Sequence, residues 1–266
     1  MKDFQLSSVV TPEPELAEEY AVAFCINDVS YAVMMASPHD LDDFAFGFLF
    51  AEQLISNTNQ VHDIRVTTMP DKGMVEINIT LANRCLSILR DKKRRLTGVS
   101  GCGVCGVEAL QQALPDVTPV EQANIIALDS LAQLRDCCQQ WQALAKSTGA
   151  MHGAFLIDLE GNITAAREDI GRHNALDKLI GSCVRDAAFV PENHAILLTS
   201  RCGVELVYKV ANIGIANLVS LSAPSQLALS IAQQANVNLI HLTKLDGPRV
   251  LNQAQTLTLA KGHLHE

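Results

Sequence analysis

The strongest constraint on the fold is a regular alternation of short apolar runs and helical patterns that begins near residue 151. The run at 195–199 is continuously apolar, as expected of a strand that is covered on both faces of its sheet. Helices are predicted at about 173–183, 203–213 and 224–235, and strands at 217–221 and 237–242. Strands that alternate with helices form a largely parallel sheet between helical layers, so the pattern predicts an α/β fold.

The first eighty residues predict a smaller α+β unit. Residues 21–35 have the pattern of a β-hairpin, and two more strands are expected near 61–67 and 74–80. After the hairpin, Ser37 is expected to cap a helix that has Pro38 at its first position.

The chain is therefore predicted to have four parts: an N-terminal arm at 1–20, a small α+β domain at 21–94, a cysteine loop at 95–106 and an α/β domain at 107–266. Within the last part, one long amphipathic helix is predicted over 127–146, with Trp141 in the core. Five cysteines lie in apolar strand or helix patterns and are expected to be buried: Cys25, Cys85, Cys137, Cys138 and Cys183.

Composition limits the classes of function. The chain of 266 residues is 48% hydrophobic and has a formal net charge of −9, which argues against a general nucleic-acid-binding protein. It shows neither a signal-peptide pattern nor an apolar run long enough to span a bilayer, so a cytoplasmic protein without a membrane partner is expected. In that compartment, the eight cysteines are expected to be free, catalytic or metal-bound rather than paired in disulfides.

Two of the cysteines, Cys102 and Cys105, lie in an open glycine-rich loop at 101–106. Glycines before, between and after them keep side chains away from the sulfurs, and the basic run at 92–95 favours the reactive thiolate. Four interpretations are open: half of a zinc site, thioredoxin-like disulfide exchange, persulfide transfer, or a turn with incidental cysteines. No second C-x-x-C pair is present, which argues against structural zinc because such a site needs four ligands.

A second group of candidate residues follows the predicted strands. Arg172 could bind a phosphate, His173 could carry a proton, and Arg201 precedes a helix whose N–H groups would face an anion. After the last core strand come Lys244, Asp246, Gly247 and Arg249. Ligands of α/β sheets bind outside the carboxyl ends of the strands, so these loops predict one anion-binding pocket. The alternative is a set of ordinary helix starts, with Asp169 as a cap and with Arg172 and Asp177 in surface ion pairs.

Five motifs occur in a fixed order along the chain: 33–41 (VMMASPHDL), 46–48 (FGF), 101–106 (GCGVCG), 168–178 (EDIGRHNALDK) and 199–201 (TSR). Together they resemble the FdhD family, the formate dehydrogenase accessory sulfurtransferases. The resemblance covers about residues 20–255. It implies a cytidine-deaminase-like three-layer α/β/α core with a smaller N-terminal α+β domain, a homodimer, and no structural or catalytic metal.

The resemblance also implies a function. It implies a sulfur carrier that takes persulfide sulfur from a cysteine desulfurase and passes it to the molybdenum cofactor, as bis-molybdopterin guanine dinucleotide, for formate dehydrogenase. In the family pattern, Cys102 carries the persulfide and Cys105 is its partner. The family's cofactor-binding stretch falls on Leu242, Thr243, Lys244, Leu245, Asp246 and Gly247. Relatives often have an arginine at the position of Gly247, whereas this chain has Arg249 two residues later.

Two further classes of function stay open beside sulfur transfer. One is a chaperone that binds and escorts the molybdenum cofactor without sulfur chemistry. The other is a dithiol oxidoreductase, which would turn over a general disulfide substrate.

Overall fold

The computed structural model of the protein describes residues 15–89, 117–121, 124 and 126–254, which form two β-sheets and the helices that pack on them. The first sheet contains β1 (Tyr20–Ile26), β2 (Val29–Ala36), β3 (Val61–Met69) and β4 (Met74–Leu81). The second contains β5 (His152–Asp158), β6 (Ile163–Asp169), β7 (His194–Arg201), β8 (Asn217–Ser222), β9 (Asn238–Leu242) and β10 (Pro248–Asn252).

The helices that lie wholly within the described ranges are from one turn to four turns long. They are α1 (Leu41–Ala51), α2 (Leu134–Cys137), α3 (Ala143–Thr148), α4 (Arg172–Arg185), α5 (Val204–Asn212) and α6 (Gln226–Gln234). Short 3₁₀ turns occur at Thr58–Gln60, Pro70–Lys72, Asn83–Cys85, Leu128–Leu131, Cys138–Trp141 and Pro191–Asn193. Within the described ranges, no helix is both long and apolar enough to cross a membrane.

The second sheet has the strand order β10-β9-β8-β7-β5-β6, and the predicted α/β class is confirmed. The prediction of a largely parallel sheet is wrong, because only β7, β8 and β9 run parallel to one another. β5 is antiparallel to both β6 and β7, and β10 is antiparallel to β9. The connections β5–β6 and β9–β10 are too short for a crossover, which needs a dozen or more residues, so each makes a hairpin. The cytidine-deaminase-like topology stays a prediction.

Helical segments cover both faces of this sheet. Alternate residues of β5 point to opposite faces: Ala154 and Leu156 face α4, α5 and α6, whereas Phe155 and Ile157 face the chain segment at 126–138. Because both faces are buried, the strands of the centre are almost continuously apolar, as the sequence of β7 indicates.

The prediction of one long helix over 127–146 is wrong, because this segment forms a series of short helices. Its apolar side chains still pack on the sheet, but Trp141, predicted in the core, is 46% exposed. The last piece, α3, is held by the carboxylate of Glu168, which accepts hydrogen bonds from the backbone N–H groups of Leu144 and Ala145 at 2.9 and 2.8 Å. A carboxylate at a helix N-terminus is favourable, so this distant partner sets where α3 begins.

The prediction that Ser37 caps α1 is also wrong. The helix begins at Leu41, and its N-cap residue is Asp40, which has φ 52° and makes no capping hydrogen bond. Ser37 instead donates from its backbone N and its Oγ to the carboxylate of Asp169, both at 2.9 Å. Its partner therefore lies on the other sheet, 132 residues away in sequence.

The two sheets are joined by direct contact between α1 and α4. A Cβ atom on Gly47 of α1 would lie 1.6 Å from the carbonyl oxygen of Asp177 on α4, so the helices touch through their backbones. Beside this crossing, the buried Asp43 carboxylate pairs with Arg167 at 2.6 Å and with Arg185 at 2.5 Å. The predicted division of the chain at 94 and 107 falls outside the described residues and stays a prediction.

Candidate functional site

The predicted pocket residues meet at one edge of the six-stranded sheet. We call it the carboxyl edge: the ends of β6, β7, β8 and β9 with the loops that follow them. Arg172 is the first residue of α4, which follows β6, and Arg201 is the last residue of β7. Leu242 is the last residue of β9, and the turn at 243–247 leads into β10. Cys102 and Cys105 lie outside the described residues.

Two helix N-termini at the carboxyl edge lack a side-chain cap. α4 begins after Gly171 and α5 begins after Gly203, and neither N-cap residue supplies a hydrogen-bond acceptor from a side chain. The first N–H groups of a helix have no partner inside the helix, so these can bind an external anion. By contrast, α6 is capped by Ser225, whose side chain accepts a hydrogen bond from the backbone N of Ala228.

The turn between β9 and β10 is closed by two hydrogen bonds and carries exposed side chains. The Thr243 backbone N and Oγ1 both donate to the carbonyl oxygen of Gly247, at 3.1 and 3.0 Å, and Gly247 has the positive φ of 74° that favours glycine. At the tip, Leu245 is 94% exposed. Arg249 pairs with Asp246 at 2.5 Å, so its charge is balanced inside the turn.

Three cations at the carboxyl edge are exposed and, among the described residues, form no ion pair: Arg172, Arg201 and Lys244. The predicted alternative, in which these segments are ordinary helix starts with surface pairs, does not hold for Asp177, which is fully buried. Asp177 accepts hydrogen bonds from the Lys209 ammonium at 2.6 and 2.7 Å, and burial raises the pKa of its carboxyl group to about 6 while Lys209 lowers it.

Arg135 also lies at the carboxyl edge, although no motif or spacing in the sequence indicates this position. Its Nη2 donates to the carbonyl oxygen of Leu221 on β8, at 3.0 Å, and to that of Leu242 on β9. The guanidinium thus ties together the ends of two neighbouring strands, and among the described residues it pairs with no carboxylate. Its two partners lie 86 and 107 residues away in sequence, so no local pattern could identify it.

Two histidines flank the start of α4. His173 Nε2 lies 2.7 Å from Glu205 on α5, and burial lowers the pKa of the imidazole although Glu205 raises it. At the start of β5, burial and the charge of Arg172 lower the pKa of His152. Both shifts favour the neutral form of the imidazole over the charged form.

The structure describes six of the eight cysteines, and all six are free. Burial raises the pKa of Cys183 and of Cys202 to about 12, and it also raises the pKa of Cys25 and Cys138. The prediction of buried cysteines is confirmed for Cys85, Cys138 and Cys183, whereas Cys25 and Cys137 are half-buried. Among the described side chains, His, Cys, Asp and Glu form no group of three or more that could hold a metal ion.

Comparison with known proteins gives a consistent set of relatives. A model of the FdhD/NarQ family matches residues 17–258. The sulfur carrier protein FdhD of Shewanella oneidensis is 40% identical over 225 residues, which cover 85% of this chain and 80% of the relative. The sulfur carrier protein FdhD of Bordetella petrii is 36% identical over 249 residues, covering 94% and 88%.

A solved structure shares the fold. The crystal structure, described as a formate dehydrogenase accessory protein from Desulfotalea psychrophila, superposes with a TM-score of 0.67. The match covers 94% of this chain and 96% of that one, at 22% sequence identity.

Proposed function

The chain belongs to the FdhD/NarQ family, and we propose from this premise that it is a sulfur carrier in the maturation of formate dehydrogenase. A cysteine desulfurase donates the sulfur, and the Cys102 thiolate attacks the outer sulfur of its persulfide. A new S–S bond forms on Cys102, and the desulfurase thiolate leaves. Cys105 supports release of this sulfur to the molybdenum cofactor, bis-molybdopterin guanine dinucleotide, and the carrier acts as a homodimer.

The chemistry of the described cysteines is the main support for this assignment. A sulfur acceptor needs an accessible thiolate, and a buried thiol in apolar surroundings is inert. Every described cysteine is buried or half-buried. Cys102 and Cys105 are the remaining two of the eight, and their glycine-rich sequence after the basic run at 92–95 is suited to an accessible thiolate.

The carboxyl edge supports the choice of an anionic dinucleotide as the acceptor of sulfur. Its three exposed cations, Arg172, Arg201 and Lys244, form no ion pair within the described part of the chain. They would attract the pyrophosphate groups, and arginine can bind two phosphate oxygens at once. The uncapped N-termini of α4 and α5 add N–H donors at the same edge. Leu245 adds an exposed apolar side chain on the β9–β10 turn, against which a guanine or pterin ring could pack.

The experiment that tests sulfur transfer is mass spectrometry of the protein after incubation with a cysteine desulfurase and cysteine. We expect the mass of one additional sulfur atom on the peptide that contains Cys102. Cys102→Ala should lose this adduct, whereas Cys25→Ala, a change at a half-buried cysteine of β1, should retain it. An equal persulfide load on Cys102→Ala and the wild type would refute the proposal.

Activation of formate dehydrogenase separates sulfur transfer from escort of the cofactor. A strain that lacks this protein is complemented with the wild type or with the Cys102→Ala, Cys105→Ala double variant. Sulfur transfer predicts that the double variant fails to restore activity. Restoration to the wild-type level would instead identify an escort protein that binds the cofactor without sulfur chemistry.

A further inference from the structure

A buried polar network centred on Asp169 joins the small sheet to the carboxyl edge. Asp169, the last residue of β6, has no exposed surface. Its Oδ2 accepts hydrogen bonds from the backbone N and Oγ of Ser37, each at 2.9 Å, and lies 2.6 Å from the Nζ of Lys178. Its Oδ1 accepts from the backbone N of Gly171 at 2.7 Å and from Nδ2 of Asn174 at 3.0 Å.

The partners of Asp169 are bonded to one another and to the small unit. The ammonium of Lys178 also donates to the carbonyl oxygen and the Oγ of Ser37, at 3.0 and 2.9 Å. Asn174 Nδ2 donates a further hydrogen bond to the carbonyl oxygen of Met35 on β2, at 2.8 Å. The segment 35–37 of the small unit is therefore fixed to the end of β6 and the first half of α4 through one carboxylate and its partners.

The energetics of this network favour a role in positioning. Lys178 and Asp169 are both fully buried. The free energy needed to remove two such charges from water is about as large as the attraction between them. Apolar side chains of similar volume would stabilise the fold at least as well, so the pair is better explained by the geometry that it imposes. That geometry is directional, because Ser37 of the small unit binds Oδ2 of Asp169, whereas Gly171 binds Oδ1.

The segment held by Oδ1 is the N-cap residue and the beginning of the first turn of α4, residues 171–173, which carries Arg172 and His173 to the carboxyl edge. Gly171 has no room for a side chain, because its Cβ would lie 2.7 Å from Nδ2 of Asn174. The turn is thus held by the hydrogen bond from Gly171 to Asp169, and the side chain of Asn174 fills the space beside Gly171. On its far side, His173 contacts Glu205 of α5.

We infer that Ser37 and Asp169 are positioning residues for the anion-binding turn at 171–173, so that the small unit sets the geometry of the pocket. Ser37 orients the Asp169 carboxylate, and the carboxylate orients the turn. This inference rests on the proposed function, since the anion in question is the dinucleotide of the cofactor.

The test measures binding of guanosine diphosphate, which carries a guanosine and a pyrophosphate, by isothermal titration calorimetry. Ser37→Ala removes one hydroxyl of the network. Gly171→Ala adds a Cβ atom that would push the side chain of Asn174 away from residue 171. Each should raise the Kd by about tenfold, equivalent to about 1.4 kcal/mol. The control is Val210→Ala on α5, which truncates a fully buried side chain outside the network, and should lower the melting temperature without changing the Kd.

A second readout distinguishes positioning from a loss of stability. In Ser37→Ala the imidazole NMR signals of His173 should shift, whereas in Val210→Ala they should stay at their wild-type positions. If Gly171→Ala does not fold, Ser37→Ala alone decides. A Kd for Ser37→Ala within twofold of the wild type, with unshifted His173 signals, would overturn the inference. A wild type that does not bind guanosine diphosphate would contradict the proposed cofactor binding itself, and the inference with it.

Discussion

The crossing of α1 and α4 gives a sharp prediction: replacing Gly47 by alanine should destabilise the fold by about 3 kcal/mol. A Cβ atom at this position would lie 1.6 Å from the carbonyl oxygen of Asp177 and 2.9 Å from the backbone N of Gly181. Both are backbone atoms of α4, so neither can rotate away. The helices would have to separate by about 1.8 Å to regain ordinary contact, and a gap of about 1 Å already removes up to half of the dispersion energy.

Two opposing effects determine this magnitude. Alanine is a better helix former than glycine by about 1 kcal/mol, which favours the variant. Overpacking costs about 1–3 kcal/mol. The separation also stretches the contacts of Asp43 with Arg167 and Arg185, whose side chains are 23% and 42% exposed, so this loss is screened by solvent and adds about 1 kcal/mol at most. The clash therefore outweighs the gain in helix propensity.

Urea unfolding followed by circular dichroism at pH 7.5 measures the effect. Gly181→Ala should act in the same direction, because its Cβ would lie 1.8 Å from the carbonyl oxygen of Asp43. Ser182→Ala is the matched control on α4: it loses only the hydrogen bond from its Oγ to Leu179, and it should stay within about 0.5 kcal/mol of the wild type. A Gly47→Ala protein within about 1 kcal/mol of the wild type would refute backbone contact between α1 and α4.

Three further measurements check other parts of the structure. Lys209→Met should lower the free energy of unfolding, measured in urea, by little at pH 5 and by about 3 kcal/mol at pH 8. Without the ammonium, the pKa of Asp177 in the folded state rises further above its value in the unfolded state. The unfolded state then loses this proton more easily than the folded state does, so the variant becomes less stable as the pH rises. Cys183 and Cys202, whose pKa burial raises to about 12, should stay unlabelled by iodoacetamide at pH 7.5 until urea is added, as mapped by peptide mass spectrometry. Arg135→Met should speed amide hydrogen exchange of the β9–β10 turn by about tenfold while exchange in β5 is unchanged, since a lost charged hydrogen bond is worth about 1.5–3 kcal/mol.

Much of the α/β unit could be predicted from local patterns. The predicted helix at 173–183 is Arg172–Arg185 in the structure, and the predicted strand at 217–221 is Asn217–Ser222. The spacing of apolar residues within a helix or strand shows which of its sides is buried, and this spacing can be read from residues that are close in sequence. Strand direction was harder to predict, because it depends on how far the chain travels between strands. β5 runs antiparallel to β7, and the short connection from β9 to β10 makes a hairpin, so the sheet is mixed.

The candidate site was partly predictable for a related reason. Arg172, Arg201 and the turn at 243–247 follow strands, and the ends of strands that run in one direction lie at one edge of the sheet. Their assignment as anion-binding residues stays a prediction, as does the persulfide role of Cys102 and Cys105.

The sequence by itself determined most of the strands and helices of the two sheets, the apolar faces that form the core, and the family to which the chain belongs. These follow from periodicity and from motifs within short segments. Tertiary structure alone decided that Ser37 binds Asp169 rather than capping α1, that Arg135 ties β8 to β9, and that Gly47 lets α1 touch α4. Each of these depends on atoms contributed by residues more than eighty positions apart, and no local pattern records which distant partner a buried polar group will meet.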